Sequence, residues 1–233
     1  GAESARDYFF TGSAGQPSSA YTHRVKVGEP IGQIWGYKVV DIDDDGKWIY
    51  DDPNNPGQTF TSGTEGITQE THGQVLGNSL PKYYLSFANS LSYKNFDLSI
   101  LMRGAFDYSI INQYRLRNEN VSQERGNNKL VSSFEPIFGK SVNRSTVEMN
   151  SYYVEKGDFW KVDNITLGYT LRPNVKYIQS VRIYGTVGNA LIFTSYKGGD
   201  PESVSRSGLA PGMDYSNKYP TTRTYTLGLS LNF

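Results

Sequence analysis

The chain has 233 residues, 23 Lys+Arg balanced by 23 Asp+Glu, and no cysteine. That length allows one large all-β domain or two small ones. The charge balance gives no field to steer it to nucleic acid or acidic lipid, and the lack of Cys excludes disulfides, thiol nucleophiles and Cys-ligated zinc. Mean hydropathy is −0.53, and no window approaches the ~18 consecutive apolar residues of a transmembrane helix. Strands with one apolar and one polar face average to such a value all the same. Tyrosine is abundant, 18 residues beside 11 Phe, which suits an aromatic girdle at a membrane interface as well as a Tyr-rich secreted β protein.

Two short strand candidates, Tyr8-Phe9-Phe10 and Tyr21 to Val27, flank a turn-rich stretch at 13–19. A long connection follows over 28–81. Within it, Asp41-Ile-Asp43-Asp-Asp45-Gly46 and then Asp52 match the D-x-D-x-D-G spacing of an EF-hand loop, with Asp in place of the bidentate Glu; four hard carboxylates there would suit Ca²⁺. The flanks, Ile34 to Val40 and Lys47 to Tyr50, read as strand, and a plain acidic hairpin turn explains the same residues.

Tyr83, Leu85, Phe87, Leu91 and Tyr93 then alternate on one face, with Asn89 the polar exception. After Lys94-Asn95, Phe96, Leu98, Ile100, Met102, Gly104 and Phe106 alternate with Asp97, Ser99, Leu101, Arg103 and Ala105. The two runs predict a tight hairpin of strands about as long as the ~9–11 residues that cross a bilayer at a tilt. A second long connection covers 107–157. Phe159 to Leu171 alternates again, a link at 172–178 carries Pro173, and Val181 to Leu191 alternates, with Asn189 on the apolar side. The third long connection, 194–221, leads to the closing strand 222–233, where Tyr225, Leu227, Leu229, Leu231 and Phe233 interleave with Thr226, Gly228, Ser230 and Asn232.

Short links at 13–19, 94–95 and 172–178 thus alternate with long ones. Short turns on one side and long loops on the other describe about seven antiparallel strands of a transmembrane β-barrel, with periplasmic turns and extracellular loops. Parity then sends the last strand downward and puts Phe233 at the periplasmic rim of the outer membrane. A soluble β-sandwich with period-two strands is the rival. The opening Gly1-Ala-Glu-Ser has no basic or apolar leader segment, so an exported protein of this kind is expected to be present here as a piece.

Ordered motifs add a family. Val27-Gly-Glu-Pro-Ile-Gly-Gln-Ile-Trp-Gly-Tyr37, Leu76-Gly-Asn-Ser-Leu-Pro-Lys82, Leu91 to Ile100 and Trp160-Lys-Val-Asp-Asn-Ile-Thr-Leu-Gly-Tyr169 resemble segments of SusC/RagA-type TonB-dependent transporters of Bacteroidetes. So do Val181-Arg-Ile-Tyr184, Gly188 to Thr194, Tyr196-Lys-Gly-Gly-Asp-Pro-Glu202 and Tyr219 to Tyr225. Trp160, Asp163, Ala190 and the region 41–75 depart from the pattern. The resemblance covers the chain from about Val25 onward and implies the C-terminal part of a barrel of about 22 strands. It also implies a plug and a TonB-binding segment outside this chain, energy coupling by TonB-ExbB-ExbD, and a SusD-like surface lipoprotein as lid. Active import of oligosaccharides, or of peptides, is the expected activity. A non-transporting scaffold or adhesin, or a degenerate barrel fragment, is the alternative.

For substrate contact the aromatics in or beside the long connections stand out: Trp35, Trp48, Tyr50, Tyr114, Tyr196 and Tyr215, with Tyr37 and Tyr219. Their faces suit sugar rings; loop packing or contact with the lipoprotein explains them equally. Arg115, Arg117 and Arg125, with Asn118, Asn120, Asn127 and Asn128, would hydrogen-bond a polar oligomer, or be a solvated loop. His23 and His72 lie 49 positions apart, without ligand spacing, and no G-x-S-x-G, P-loop or H-E-x-x-H occurs. No enzyme activity is expected.

Overall fold

The computed structural model describes residues 7–14, 20–119, 128–141, 148–205, 208–215 and 219–233. They form two compact units, Lys82–Asp107, Gly157–Ser195 and Tyr219–Phe233 in one, the remaining segments in the other. Both are β-rich, with only two short α-helices among the described residues.

The first unit holds the three long connections and the N-terminal segment. Strands β1 (Tyr8–Thr11), β2 (His23–Lys26), β3 (Gln33–Gly36) and β7 (Gln74–Asn78) make one sheet in that order; β4 (Val39–Ile42), β5 (Trp48–Asp51) and β6 (Thr59–Thr61) make a second. In a third, β10 (Ser109–Asn112) lies between β11 (Val154–Lys156) and β14 (Met213–Asp214). The helices are α1 (Gln69–His72) and α2 (Gln113–Asn118). Two apolar clusters fill the unit. Ile34, Ile111, Leu116, Met149, Tyr153 and Met213 form one; Ile42, Trp48 and Tyr50 form the other, with Tyr37 and Phe60 against them. Stretches expected as aperiodic loops are therefore folded. The two N-terminal strand candidates pair with each other here, Phe9 opposite Val25, and not with the long strands.

The second unit is one antiparallel sheet. Its five strands are β8 (Tyr83–Tyr93), β9 (Phe96–Phe106), β12 (Phe159–Leu171), β13 (Ser180–Thr194) and β15 (Thr224–Asn232), ordered β15-β13-β12-β9-β8. The hairpin link forms as expected, Tyr93 opposite Phe96, with Lys94 in a left-handed conformation at φ 55°. Among the described residues the sheet is open: β8 pairs only with β9, and β15 only with β13. Among the described residues five long strands make it, and the two N-terminal candidates lie in the first unit.

Register assigns every side chain to a face, since alternate residues point to opposite sides. Following Leu91↔Leu98↔Leu167↔Gly185↔Leu227 across the sheet, one face is apolar from edge to edge. The other carries Ser90, Ser99, Thr166, Thr186 and Thr226 at the neighbouring level. A one-residue slip would exchange the faces, and β12 meets that hazard at Asp163. There Val162 pairs with Met102 but Asn164 with Leu101, so Asp163 is a bulge. The extra residue lets Trp160 and Val162 share the face of Ile165 and Leu167. Opposite it β13 is bulged too, where Asn189 takes φ 50° and donates to the Thr222 carbonyl at 2.8 Å. Asn189 is thus a bulge residue rather than a member of the apolar row.

Candidate functional site

Within the first unit the candidate residues separate by burial. Trp35, Trp48, Tyr50, Arg115 and Tyr196 are all buried. Trp48 packs tilted against Tyr152 with ring centroids 5.4 Å apart, and Tyr50 against Tyr37 at 5.0 Å. The Tyr50 hydroxyl donates to Glu148 at 2.6 Å, and the Ser62 hydroxyl reaches the same carboxylate at 2.7 Å. Burial first, then the Glu148 charge, pushes the Tyr50 phenol far up; the same two causes bring Tyr37 up to about 12. These rings close a core, and a ring enclosed by its own chain has no face left for a sugar. Trp35 donates its indole N–H to the Gln69 carbonyl at 2.9 Å and carries the Arg24 guanidinium 4.1 Å over its ring.

Arg115 is the hub of a buried charge network. Asn112 caps α2 by accepting from the Arg115 N–H at 3.0 Å. One helical turn later Glu119 accepts from Arg115 Nε at 2.6 Å, while Glu155 of β11 accepts from Nη1 at 2.6 Å. Burial opposes the guanidinium charge, and the hydrogen bonds to Glu119 and Glu155 outweigh it, so the Arg115 pKa rises. Glu155 also accepts from Asn112 Nδ2 at 3.1 Å and from the Lys197 N–H at 2.8 Å. Next to it the Tyr196 hydroxyl donates to Asp214; burial first, then that bond, raises the Tyr196 pKa. The network ties four separated chain segments together, 112–119, Glu155, 196–197 and Asp214. It is a fastening, and Arg115 and Tyr196 are committed to it.

Tyr114 and Tyr215 are different, 44% and 47% exposed. Asn112↔Asp214 is a parallel pair of β10 and β14, so the two tyrosines follow adjacent strand ends. Arg117, three residues from Tyr114 on α2, is exposed as well. Asn118 donates to the Tyr114 carbonyl at 2.9 Å. Tyr219 is exposed; Arg125, Asn120 and Asn127 lie outside the described residues.

The acidic segment is a hairpin end between β4 and β5. Asp43 Oδ1 accepts from the Lys47 N–H at 2.7 Å, and Gly46 takes φ 81°, the left-handed turn that glycine permits. Asp41 Oδ1 accepts from the Ile42 N–H at 2.8 Å, with Lys140 Nζ 3.7 Å from its other oxygen, and Asp45 is exposed. Asp52 belongs to a separate turn, where bonds from Asn55 Nδ2 and the Asn54 N–H hold its carboxyl below the usual range. Among the described residues no three Asp, Glu or His side chains converge on an ion. One carboxylate oxygen of Asp41 and one of Asp43 are thus engaged with backbone N–H groups.

His23 is fully buried, with Thr22 Oγ1 2.9 Å from Nδ1 and Ser79 Oγ 3.4 Å from Nε2. Burial brings its pKa down to about 4, against a smaller opposing hydrogen bond to the Pro211 backbone.

The polar face of the sheet holds ionic groups that sequence reading did not single out. Arg182 grips Asp97 through two bonds, Nε at 2.9 Å and Nη2 at 2.5 Å, and Arg103 pairs with Asp163 at the bulge. The broken phase Val162 to Ile165, three residues in place of two, was the available signal.

No protein-family model matches the chain. Individual proteins do. TonB-dependent receptor P3 of Formosa agariphila is 28% identical over 97% of the chain, and TonB-dependent receptor SusC of Bacteroides thetaiotaomicron is 31% identical over 95%. The chain belongs to the SusC-type TonB-dependent receptors. It spans 24% and 21% of those two proteins' lengths. Among solved structures, this SusC-type chain superposes on the RagAB peptide transporter with TM-score 0.78 and 19% identity, covering 97% of the chain and 24% of that one. The RagAB peptide importer in its closed-closed state gives TM-score 0.76 at 20% identity, over 97% and 25%. At that identity the likeness shows the fold. The names given to all four are those of receptors and transporters.

Proposed function

We propose that this SusC-type chain is the C-terminal wall of an outer-membrane β-barrel that imports oligosaccharides, or peptides, by TonB-coupled transport. The observation that carries the reading is the two-faced sheet. On its apolar face an aromatic row at one end, Tyr93, Phe96 and Tyr169, is matched at the other by Tyr83, Phe106, Trp160 and Phe193. Ten residue steps separate Phe96 from Phe106, about 34 Å along a strand at ~3.4 Å per residue. At a tilt of about 40° that is roughly 26 Å of height, against the ~25 Å apolar band between aromatic girdles of outer-membrane barrels. The opposite face, with its Ser, Thr and Arg–Asp pairs, suits a wet lumen and a plug.

Topology supports the orientation. The turns at 94–95 and 172–178 and residue Phe233 fall on one edge of the sheet, since Phe96 is opposite Tyr169 and Ser180 opposite Asn232. All three long connections leave from the other edge. We infer that the short-turn edge and the C-terminus lie at the periplasmic rim, and that the three long connections are extracellular. An open edge in hydrocarbon leaves backbone groups unsatisfied, so β8 and β15 are taken to be paired by the barrel's remaining strands. The plug and the TonB-ExbB-ExbD contact are assigned to parts of the receptor outside this chain, and a SusD-like lid to its extracellular side. Tyr114, Tyr215 and Arg117 are the candidates here for contact with substrate or lid.

Deletion of the full gene, followed by growth on panels of glycans and of peptides, tests the activity. Loss of growth on one class, with the protein in the outer-membrane fraction, supports import; unimpaired growth on every substrate points to a scaffold or adhesin.

A further inference from the structure

A graded stack of aromatic rings runs to the surface of the first unit beside the β1 edge. It starts at the Arg24 guanidinium, 4.1 Å over Trp35; Phe10 lies 5.9 Å from Trp35; and Tyr21 is stacked on Phe10 at 5.8 Å, interplanar angle 22°. Trp35 is buried, whereas Tyr21 is 52% exposed. With Phe10 on one face of Tyr21, the half that solvent reaches is the other.

The outer ring is also fixed in place. Both main-chain groups of Tyr21 bond to the Gln69 side chain, its N–H to Oε1 at 3.0 Å and its carbonyl from Nε2 at 2.6 Å. Gln69 in turn bonds to the Trp35 carbonyl at 3.0 Å and accepts from the Trp35 indole at 2.9 Å. Gln69 therefore ties the two ends of the stack together, its side chain holding the main chain of Tyr21 and of Trp35 and its main-chain carbonyl the Trp35 indole. Tyr8, edge-on to Phe10 at 5.6 Å, sends its hydroxyl to the exposed Glu70 carboxylate at 3.3 Å. A preorganised ring face loses little entropy when a ligand settles on it.

We propose that Tyr21, backed by Phe10 and Trp35, is a stacking platform for a pyranose ring of an oligosaccharide. The proposal rests on the import reading and names the substrate class. A sugar ring presents an apolar C–H face edged by hydroxyls, which matches a flat aromatic face whose supporting residues, Phe10 and Gln69, have the Tyr8 ring and Glu70 next to them. A peptide side chain would be better served by a concave apolar pocket.

The test uses the complete receptor, purified in detergent and immobilised, and presented with pooled oligosaccharides from hydrolysed plant, algal and animal polysaccharides and with a tryptic peptide pool. Oligosaccharides should be retained by the native receptor and by Tyr21→Phe. Tyr21→Ala should bind about tenfold more weakly, the scale of a lost aromatic contact. Because the Gln69 clamp holds the main chain of residue 21, Tyr21→Ala should keep the native thermal midpoint. Equal retention by native and Tyr21→Ala receptors would overturn the platform and leave import standing. Retention of peptides alone would overturn the sugar assignment. Retention of neither pool would remove the import reading and the platform with it.

Discussion

Arginine placed on the apolar face of the sheet should cost an amount set by its depth. Ile100 is four residue steps from the Phe96 row and six from Phe106, so at ~3.4 Å per step and ~40° tilt it lies about 10 Å above one girdle of a band about 26 Å high. That is close to the bilayer midplane, and Ile100→Arg should destabilise the receptor by about 2–4 kcal/mol; Phe96→Arg, at the girdle, should cost about 0–1 kcal/mol. Ser99 and Ile100 are chain neighbours pointing to opposite faces, so Ser99→Arg, on the polar side, should fall within the small cost of the girdle variant. The assay is guanidinium unfolding of the full receptor in phospholipid vesicles, comparing midpoints at unchanged slope. A soluble sandwich would bury Ile100 against a second sheet without reference to depth. Equal losses for Ile100→Arg and Phe96→Arg, or a loss for Ser99→Arg as large as for Ile100→Arg, would refute the membrane-facing assignment.

Three further outcomes follow from single contacts. His23 is held neutral with a pKa of about 4 against an ordinary 6.5. The unfolded chain therefore takes up the proton first as pH falls, and stability present above pH 6.5 is lost down to about pH 4, at up to about 1.4 kcal/mol per unit and about 3 kcal/mol in all. Thermal midpoints measured between pH 7.5 and 4.5 should fall less steeply in His23→Gln than in the native receptor. At Gly104 an added Cβ would sit 2.5 Å from Trp160 Cε3, whereas at Gly185 it would have 3.6 Å to Leu227 Cδ2. Gly104→Ala should thus lower the heat-resistant folded fraction on gels by the ~1–3 kcal/mol of overpacking, and Gly185→Ala should not. Arg115→Met removes the guanidinium shared by the buried Glu119 and the partly buried Glu155, at about 3–5 kcal/mol. Faster proteolysis in the first unit should report it, and adding Glu155→Gln should recover part of the loss.

The long strands were legible because a single rule acts on every residue of them. Tyr83–Tyr93 and Phe96–Phe106 occupy the residues their alternation predicts, and only the bulges at Asp163 and Asn189 escape the count. Even there the three-residue step from Val162 to Ile165 records where the phase had to be reset. The first unit offers no such rule. Its strands are mostly three to five residues long, too short for a period, and they are fastened across great sequence distance. The Val39 N–H reaches Ser151 Oγ, 112 residues away, and the Tyr50 hydroxyl reaches Glu148, 98 away. The candidate site failed to resolve for the same reason. Trp48 and Tyr21 are equally plausible platforms by residue type, yet one has Tyr152 and Tyr153 against it and the other keeps a face in solvent. Where an outside medium sorts the side chains, alternation reports the sorting. Where they are sorted by one another, exposure belongs to the tertiary contacts, and the residues open to a ligand emerge only when those contacts are known.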